Sequence, residues 1–345
     1  MMTTEIAARQ YVFDLHGIGL RYEASSLALA GPVVSYLRQF TAAEQKDVPR
    51  LTVRFQQVAD RSEIPARRSA QAKTLFSGVC PSWGNSLRSV WRCDIVQDGD
   101  RLLADFQDQA LLVIDGARGL VEGYFIDSGA MHEEVCEGLF HYALTELLKH
   151  RGVFALHAAA LEYQGQGLIV AGGSGQGKTT LMLALLRSGF RYLSDDASLV
   201  RERDAQVELL PGPTKIGVTG RTVEMLPELR SAGSGLLKQG AWKKSFDPRD
   251  LYRDCTGTPC RPVMMLFPYI ADLPHSCLEP LSKSRAIEAL MTQERVAQEP
   301  EVARREFQVL SKLVKQVDSY RLHFGRDFLE LSSQIAPLLE LRRSA

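Results

Sequence analysis

Alternation of hydrophobic and polar residues dominates the first third of the chain. It predicts a set of short strands, at 11–15, 50–55, 90–96, 101–106, 111–114 and 120–126. Asp-Gly pairs at Asp98-Gly99 and Asp115-Gly116 are typical of tight turns between antiparallel strands. A helix over about 25–39 is predicted to pack on the sheet. Residues 1–130 therefore read as a β-rich domain, and no residue in it suggests a chemistry.

Beyond residue 130 helical spacing mixes with strands. Apolar residues three and four apart predict a helix at 133–150. Strands are predicted at 153–161, 168–171, 191–194 and 263–269, with short β-like segments between 198 and 219 and helices at 284–291, 303–317 and 326–341. The Gly-, Lys- and Asp-rich stretch 231–262 is predicted to be a loop. The pattern indicates a second domain at 131–345 and a fold class between α/β and α+β.

Composition narrows the choice of partners. Lys plus Arg number 41 and Asp plus Glu number 41, so no bulk charge favours nucleic acid or a membrane surface. The N-terminus lacks an apolar signal segment, and His157 and Glu162 interrupt the most apolar stretch, 153–172. The six cysteines form no C-x-x-C pair. We expect a cytoplasmic protein with reduced thiols and without a membrane or nucleic-acid partner.

One motif carries a specific chemistry. The apolar run 168–171 is followed by the octet Gly172, Gly173, Ser174, Gly175, Gln176, Gly177, Lys178 and Thr179, which fits G-x-x-x-x-G-K-[ST]. Thr180 then opens a helix-forming series. In such a loop backbone N–H groups surround phosphate oxygens, the lysine reaches the β and γ phosphates, and the hydroxyl meets Mg²⁺. A dinucleotide fingerprint fits poorly, because Lys178 stands where that pattern needs Gly or Ala. The loop predicts binding of ATP with Mg²⁺.

Two further features lie near the loop in sequence. Asp195 and Asp196 directly follow the strand predicted at 191–194, where phosphate-loop enzymes carry their magnesium-binding acid. Two carboxylates allow two roles, one on the metal and one as a base for an attacking hydroxyl. His157 lies among apolar residues, and its position fits a core histidine as well as a functional one.

Taken together, these motifs resemble the HPr kinase/phosphorylase-like family. The matching text is 156–160, with its histidine, then 172–180, then 189–196, with its aspartate pair. The resemblance implies the catalytic fold shared with phosphoenolpyruvate carboxykinases. It also implies that His157 approaches the reacting phosphate, that Asp195 is the general base, and that Asp196 binds Mg²⁺ with Thr179.

The chain also departs from that family. Its enzymes carry a Glu-Ile-Arg-Gly signature after the aspartate pair, whereas residues 209–217 here read LLPGPTKIG and contain no Glu. Similar proteins phosphorylate a serine of a ribosomally made peptide precursor, such as a lasso-peptide precursor. The predicted acceptor is therefore a serine of a protein or peptide, with a small-molecule hydroxyl as the alternative. A nucleotide-binding regulatory module without catalysis is a further alternative, and a homo-oligomer is an expectation from the family.

Overall fold

The computed structural model describes most of the chain. The described residues are 9–41, 50–66, 68–79, 92–127, 133–173, 175–231, 244–271, 273–292 and 299–343. Contacts within the chain divide it into two compact units, Met1–Arg151 and Gly152–Ala345. Each unit has its own sheet and its own apolar interior.

The first unit is an eight-stranded sheet covered by two helices. Its elements in chain order are β1 Arg9–Leu15, β2 Ile18–Ala24, α1 Leu27–Tyr36, β3 Leu51–Val58, β4 Lys73–Val79, β5 Arg92–Asp98, β6 Arg101–Asp105, β7 Ala110–Asp115, β8 Leu120–Ile126 and α2 Glu133–Lys149. The strand order is β1-β2-β3-β8-β7-β6-β5-β4. The pairs β2–β3 and β3–β8 are parallel and the other pairs are antiparallel. Buried aromatic rings of Tyr22, Phe55 and Phe140 pack edge to face between sheet and helices.

Helix α2 corrects the predicted boundary between the two parts of the chain. Sequence spacing grouped it with the second domain by a division at residue 130. In the structure α2 packs on α1 and on β3, β7 and β8, and the units divide after residue 151. The apolar stripe of α2 shows that the helix is buried on one side, but the stripe does not show which sheet covers it.

The second unit is built around a six-stranded sheet. Its elements are β9 Val153–Leu156, β10 Ala158–Tyr163, β11 Gln166–Ala171, α3 Lys178–Arg187, β12 Arg191–Ser194, β13 Ser198–Arg203, β14 Gln206–Leu210, β15 Ile216–Val218, α4 Gly220–Met225, β16 Lys244–Phe246, β17 Arg261–Ile270, β18 Cys277–Leu281, α5 Lys283–Met291, α6 Pro300–Gln316, β19 Asp318–Phe324 and α7 Ser332–Arg343.

Three sheets share these strands. The large sheet has the order β12-β10-β11-β17-β19-β18, in which β11, β17 and β19 are mutually parallel. A second sheet has the order β14-β13-β9, and β15 pairs with β16. Helices α3 and α7 contribute to one apolar cluster of this unit, and α5 and α6 contribute to another. The large sheet is therefore covered on both faces, as its parallel centre requires.

Strands β18 and β19 escaped the sequence analysis. In β19 the side chains of Ser319, Leu322 and Phe324 are buried, while polar residues separate them. These polar residues hide the alternation of apolar and polar positions that would indicate a strand. Helix α7 begins at Ser332, later than the predicted start near residue 326, because residues 325–331 form a loop and a short 3₁₀ turn. Within the described residues no helix is long and apolar enough to cross a membrane.

Replacing glycine by alanine is predicted to change stability in opposite directions at two positions of this unit. A Cβ at Gly325 would lie 2.7 Å from the His275 carbonyl carbon and 2.8 Å from the Ser276 nitrogen. We expect Gly325→Ala to lower the free energy of unfolding by about 1–3 kcal/mol, because the backbone must move. A Cβ at Gly220, the first residue of α4, meets nothing within 4 Å, so Gly220→Ala should raise stability by about 0.4–1 kcal/mol. Urea unfolding of both variants measures the two changes, and equal midpoints would contradict this packing.

Candidate functional site

The glycine-rich loop joins β11 to α3, as the sequence predicted. Gly175 and Gly177 have φ angles of 82° and 92°, in the left-handed region that favours glycine. The amide of Gly173 donates to Oε1 of Gln176 over 2.7 Å, which ties the two sides of the loop together. Ser174 lies outside the described residues. The loop is thus a closed backbone turn at the carboxyl end of a buried parallel strand.

The start of α3 suits an anion. Gly177 is its N-cap residue and supplies no side-chain hydrogen bond to the first amides. The first N–H groups of a helix have no partner within the helix, and its dipole adds partial positive charge there. Thr180 is buried, and its hydroxyl lies 3.3 Å from that of Thr222. The Thr180 hydroxyl therefore already has a partner within the protein. Local geometry is thus compatible with the phosphate-binding role that the sequence predicts for this turn.

Lys178 is buried and folds back over the loop. Its ammonium group donates to the carbonyl oxygens of Gly172 at 2.6 Å and Gly173 at 3.2 Å. The same group lies 3.2 Å from Nε2 of His157. An ammonium group has donors only, so Nε2 is the acceptor of this hydrogen bond. The structure therefore joins His157 to the lysine of the loop.

His157 lies at a break between strands, where the sequence predicted one strand from 153 to 161. Strand β9 pairs with β13 in the small sheet, and β10 pairs with β12 in the large one. Leu156 is opposite Ser198, and Ala160 is opposite Ser194. The register places residues 157–159 opposite residues 195–197. His157 and the aspartate pair thus lie at one shared interruption of two antiparallel strands.

Two buried serines hold this interruption, and the sequence analysis missed both. The hydroxyl of Ser198 donates to the carbonyl of Ala158 over 2.8 Å and lies 2.7 Å from the hydroxyl of Ser194. Both side chains are nearly inaccessible. They satisfy polar groups that the broken ladder leaves inside the protein. Their positions on either side of Asp195-Asp196 are the sequence feature that could have identified them.

The aspartates lie in a tight turn between β12 and β13. Asp196 has a φ of 61°, a conformation that Asp tolerates better than most residues, and the amide of Ala197 donates to the carbonyl of Asp195. The hydroxyl of Thr179 donates to Oδ1 of Asp195 over 3.2 Å, and the amide of Gly217 donates to Oδ2 over 3.3 Å. The loop and the first carboxylate are therefore in direct contact.

Oxygen ligands for a divalent cation are present at this contact. Thr179 offers a hydroxyl, and the pair Asp195-Asp196 offers carboxylates, the donor type that Mg²⁺ prefers. The described residues contain no group of three His, Cys, Asp or Glu side chains that could hold a metal. Mg²⁺ bound with a nucleotide commonly takes one or two carboxylates and completes its shell with phosphates and water. The residues present fit such an ion.

The loop predicted at 231–262 carries positively charged side chains at Lys243, Lys244 and Arg249. Lys243 and the side chain of Lys244 lie outside the described part of the chain. Arg249 donates to both carboxylate oxygens of Asp247, at 3.0 and 2.8 Å, and to the hydroxyl of Thr214. A structural ion pair accounts for Arg249 in this state.

Comparisons with known proteins find relatives that match part of the chain. An HPr kinase/phosphorylase of Limosilactobacillus reuteri (strain DSM 20016) is 29% identical over 100 residues, which are 29% of this chain and 28% of that protein. The HPr kinase/phosphorylases of Listeria monocytogenes serotype 4a (strain HCC23) and Listeria welshimeri serovar 6b are 31% and 33% identical over 81 residues, 24% of this chain and 24% of each relative. No protein-family model matches.

The solved HPr(Ser) kinase/phosphatase from Coxiella burnetii aligns with 55% of this chain and 99% of its own, at 12% identity and a TM-score of 0.29. The chain spans about a quarter of the length of the curated relatives it matches. Those curated relatives confirm the predicted resemblance to HPr kinase/phosphorylases over 81 to 100 residues.

The hydrogen bonds of the serine pair predict a measurable loss of stability when Ser198 is replaced. Ser198→Ala should lower the free energy of unfolding by about 1–3 kcal/mol, because it removes a partner from the Ala158 carbonyl and from Ser194 inside the protein. Ser188→Ala is the control, since that hydroxyl is exposed and donates to a carbonyl of its own helix. Chemical denaturation measures both variants. Equal stability of the two would show that the buried serines do not hold the interruption.

Proposed function

We propose that this protein is an ATP- and Mg²⁺-dependent kinase that transfers the γ-phosphate to a hydroxyl group, with a serine of a protein or peptide as acceptor. The hydrogen bond between Thr179 and Asp195 carries the proposal. It joins a phosphate-binding loop to a carboxylate pair, and it depends on the tertiary fold. A protein that only holds Mg·ATP needs one such carboxylate, and the second one, Asp196, is then available as a base.

The loop would bind ATP, the phosphate donor of the reaction. Its amides and the start of α3 would bind the phosphates of ATP, and Lys178 would exchange its carbonyl partners for phosphate oxygens. The Lys178 ammonium group would keep His157 as a protein partner. Phosphoryl transfer requires mainly positioning and charge stabilisation, and these groups offer both.

The metal would lie on the side of Thr179. When bound, Mg²⁺ neutralises charge on the β and γ phosphates. Family resemblance assigns Asp196 to the metal and Asp195 to the base, but the contact with Thr179 supports the reverse. We therefore place Asp195 with Thr179 on the metal, and Asp196 as the group that takes the proton of the acceptor hydroxyl.

Two observations bear on the identity of the phosphate acceptor. The curated relatives are named as kinases of HPr, a protein substrate, which supports a protein or peptide hydroxyl here. Residues 209–217 contain no Glu, and within them the Gly217 amide contacts Asp195. The segment that carries the relatives' signature therefore has different side chains at this site, and HPr itself is not the proposed substrate.

Two variants test the assignment of the carboxylates. Asp196→Asn should keep the affinity for Mg·ATP within about twofold and lower phosphate transfer by about a hundredfold or more, because it removes the base. Asp195→Asn should weaken Mg·ATP binding by about tenfold but leave metal-free ATP binding unchanged, because it removes a metal ligand. Calorimetry with and without EDTA measures binding, and γ-labelled ATP with a lysate of the native cells measures transfer.

Asp204→Asn is the matched control, since its side chain is exposed on the β13–β14 turn. A wild-type protein that binds ATP but labels no acceptor, and whose hydrolysis of ATP equals that of both variants, would make it a nucleotide-binding module and overturn the kinase proposal. Label recovered on a small molecule would retain the kinase and overturn the protein acceptor. The opposite pattern of the two variants would restore Asp195 as the base.

A further inference from the structure

The phosphate loop has two unlike sides. In the large sheet β10 and β12 lie on one side of β11, and β17 and β19 lie on the other. On the first side, His157 directly precedes β10 and the aspartates directly follow β12. The reacting end of a bound triphosphate belongs with those groups. The carboxyl ends of β17 and β19 lie at the same edge as the loop, because the three strands are parallel, and they offer a surface for the other end of the nucleotide.

An exposed apolar surface occupies that second side. Ile270 ends β17 with 45% of its surface exposed, and Leu273 follows with 40% exposed. Cγ1 of Ile270 and the ring of Phe324 each come within 3.9 Å of the point where a Cβ on Gly177 would lie. We call the exposed Ile270 and Leu273, together with the buried Phe324, the apolar rim. Ile270 and Phe324 border the loop at the start of α3.

Backbone hydrogen bonds fix the rim in place. The amide of Ala271 donates to the carbonyl of Phe324, and the amide of Arg326 donates to the carbonyl of Leu273. Asp327 accepts from both the amide and the hydroxyl of Ser276, at 2.7 and 2.6 Å. Burial alone would raise the pKa of Asp327, yet these hydrogen bonds hold it below its ordinary value. The two loops after β17 and β19 are thus tied together before any ligand binds.

We propose that the apolar rim binds the nucleoside of ATP, with the base lying against Ile270 and Leu273. The proposal rests on the proposed function, in which ATP is the phosphate donor. A planar base gains by covering apolar side chains, and a rim already ordered loses little entropy on binding. The acceptor has no place here, because its hydroxyl must reach the carboxylates on the other side of the loop.

Tyr269 gives an internal comparison on the same strand. It is 58% exposed, but successive residues of a strand point to opposite faces, and its ring packs edge to face on His323. Ile270 lies on the face of Phe324 and α3. Both side chains are apolar, exposed and adjacent in sequence, so they differ mainly in the face that they present.

The experiment compares ATP with inorganic tripolyphosphate, which occupies the loop without a nucleoside. With Mg²⁺ present, calorimetry on the full chain should show that Ile270→Ser weakens ATP binding by about tenfold and leaves tripolyphosphate binding unchanged. Tyr269→Ser should leave both affinities unchanged. Wild-type protein should bind ATP more tightly than tripolyphosphate.

Other results would overturn either the apolar rim as a nucleoside site or the proposed function. Equal binding of ATP and tripolyphosphate by the wild type would overturn the rim as a nucleoside site but leave the loop and the kinase proposal standing. Unchanged ATP binding in Ile270→Ser, or a loss of ATP binding in Tyr269→Ser instead, would also overturn the rim. So would equal losses for both ligands in Ile270→Ser, because the side chain would then act on the loop and not on the nucleoside. Failure of both ligands to bind the wild type would overturn the proposed function itself.

Discussion

Two buried serine hydroxyls hold the point at which a pair of antiparallel strands leaves one sheet and enters another. Ser198 bonds the Ala158 carbonyl and lies beside Ser194, so the polar groups freed by the broken ladder remain satisfied. His157 and Asp195 lie at this break and are half-buried, whereas Leu156 and Ser194 directly before them are buried.

The position of the break relative to the phosphate loop gives the site its direction. Lys178 bonds His157, and Thr179 bonds Asp195, so two consecutive residues of the loop reach the two sides of the break. Polar and titratable groups gather at that side, whereas apolar side chains border the loop on the other. A nucleotide is itself polar at one end and largely apolar at the other. The same asymmetry would align it for transfer toward the carboxylates.

Local sequence predicted the elements whose signals are short-range. The loop between β11 and α3 and the strand before Asp195 follow from glycine spacing and apolar runs, and both appear where the pattern put them. Strand β19 was missed because polar residues separate its buried side chains, and it is held by neighbours on both sides that are distant in sequence. The helix α2 was found but was assigned to the wrong part of the chain, because an apolar stripe does not identify its cover.

The sequence by itself determined which reactive groups the protein carries: a glycine loop with Lys178 and Thr179, an aspartate pair and a histidine among apolar residues. All of them are readable because each motif is contiguous. Tertiary structure alone decided how they meet. Register between β9–β10 and β12–β13 set residues 157–159 against 195–197, and the hydrogen bond of Thr179 chose Asp195 over its neighbour. Such choices depend on pairings across dozens of residues, which the local composition of a strand does not encode.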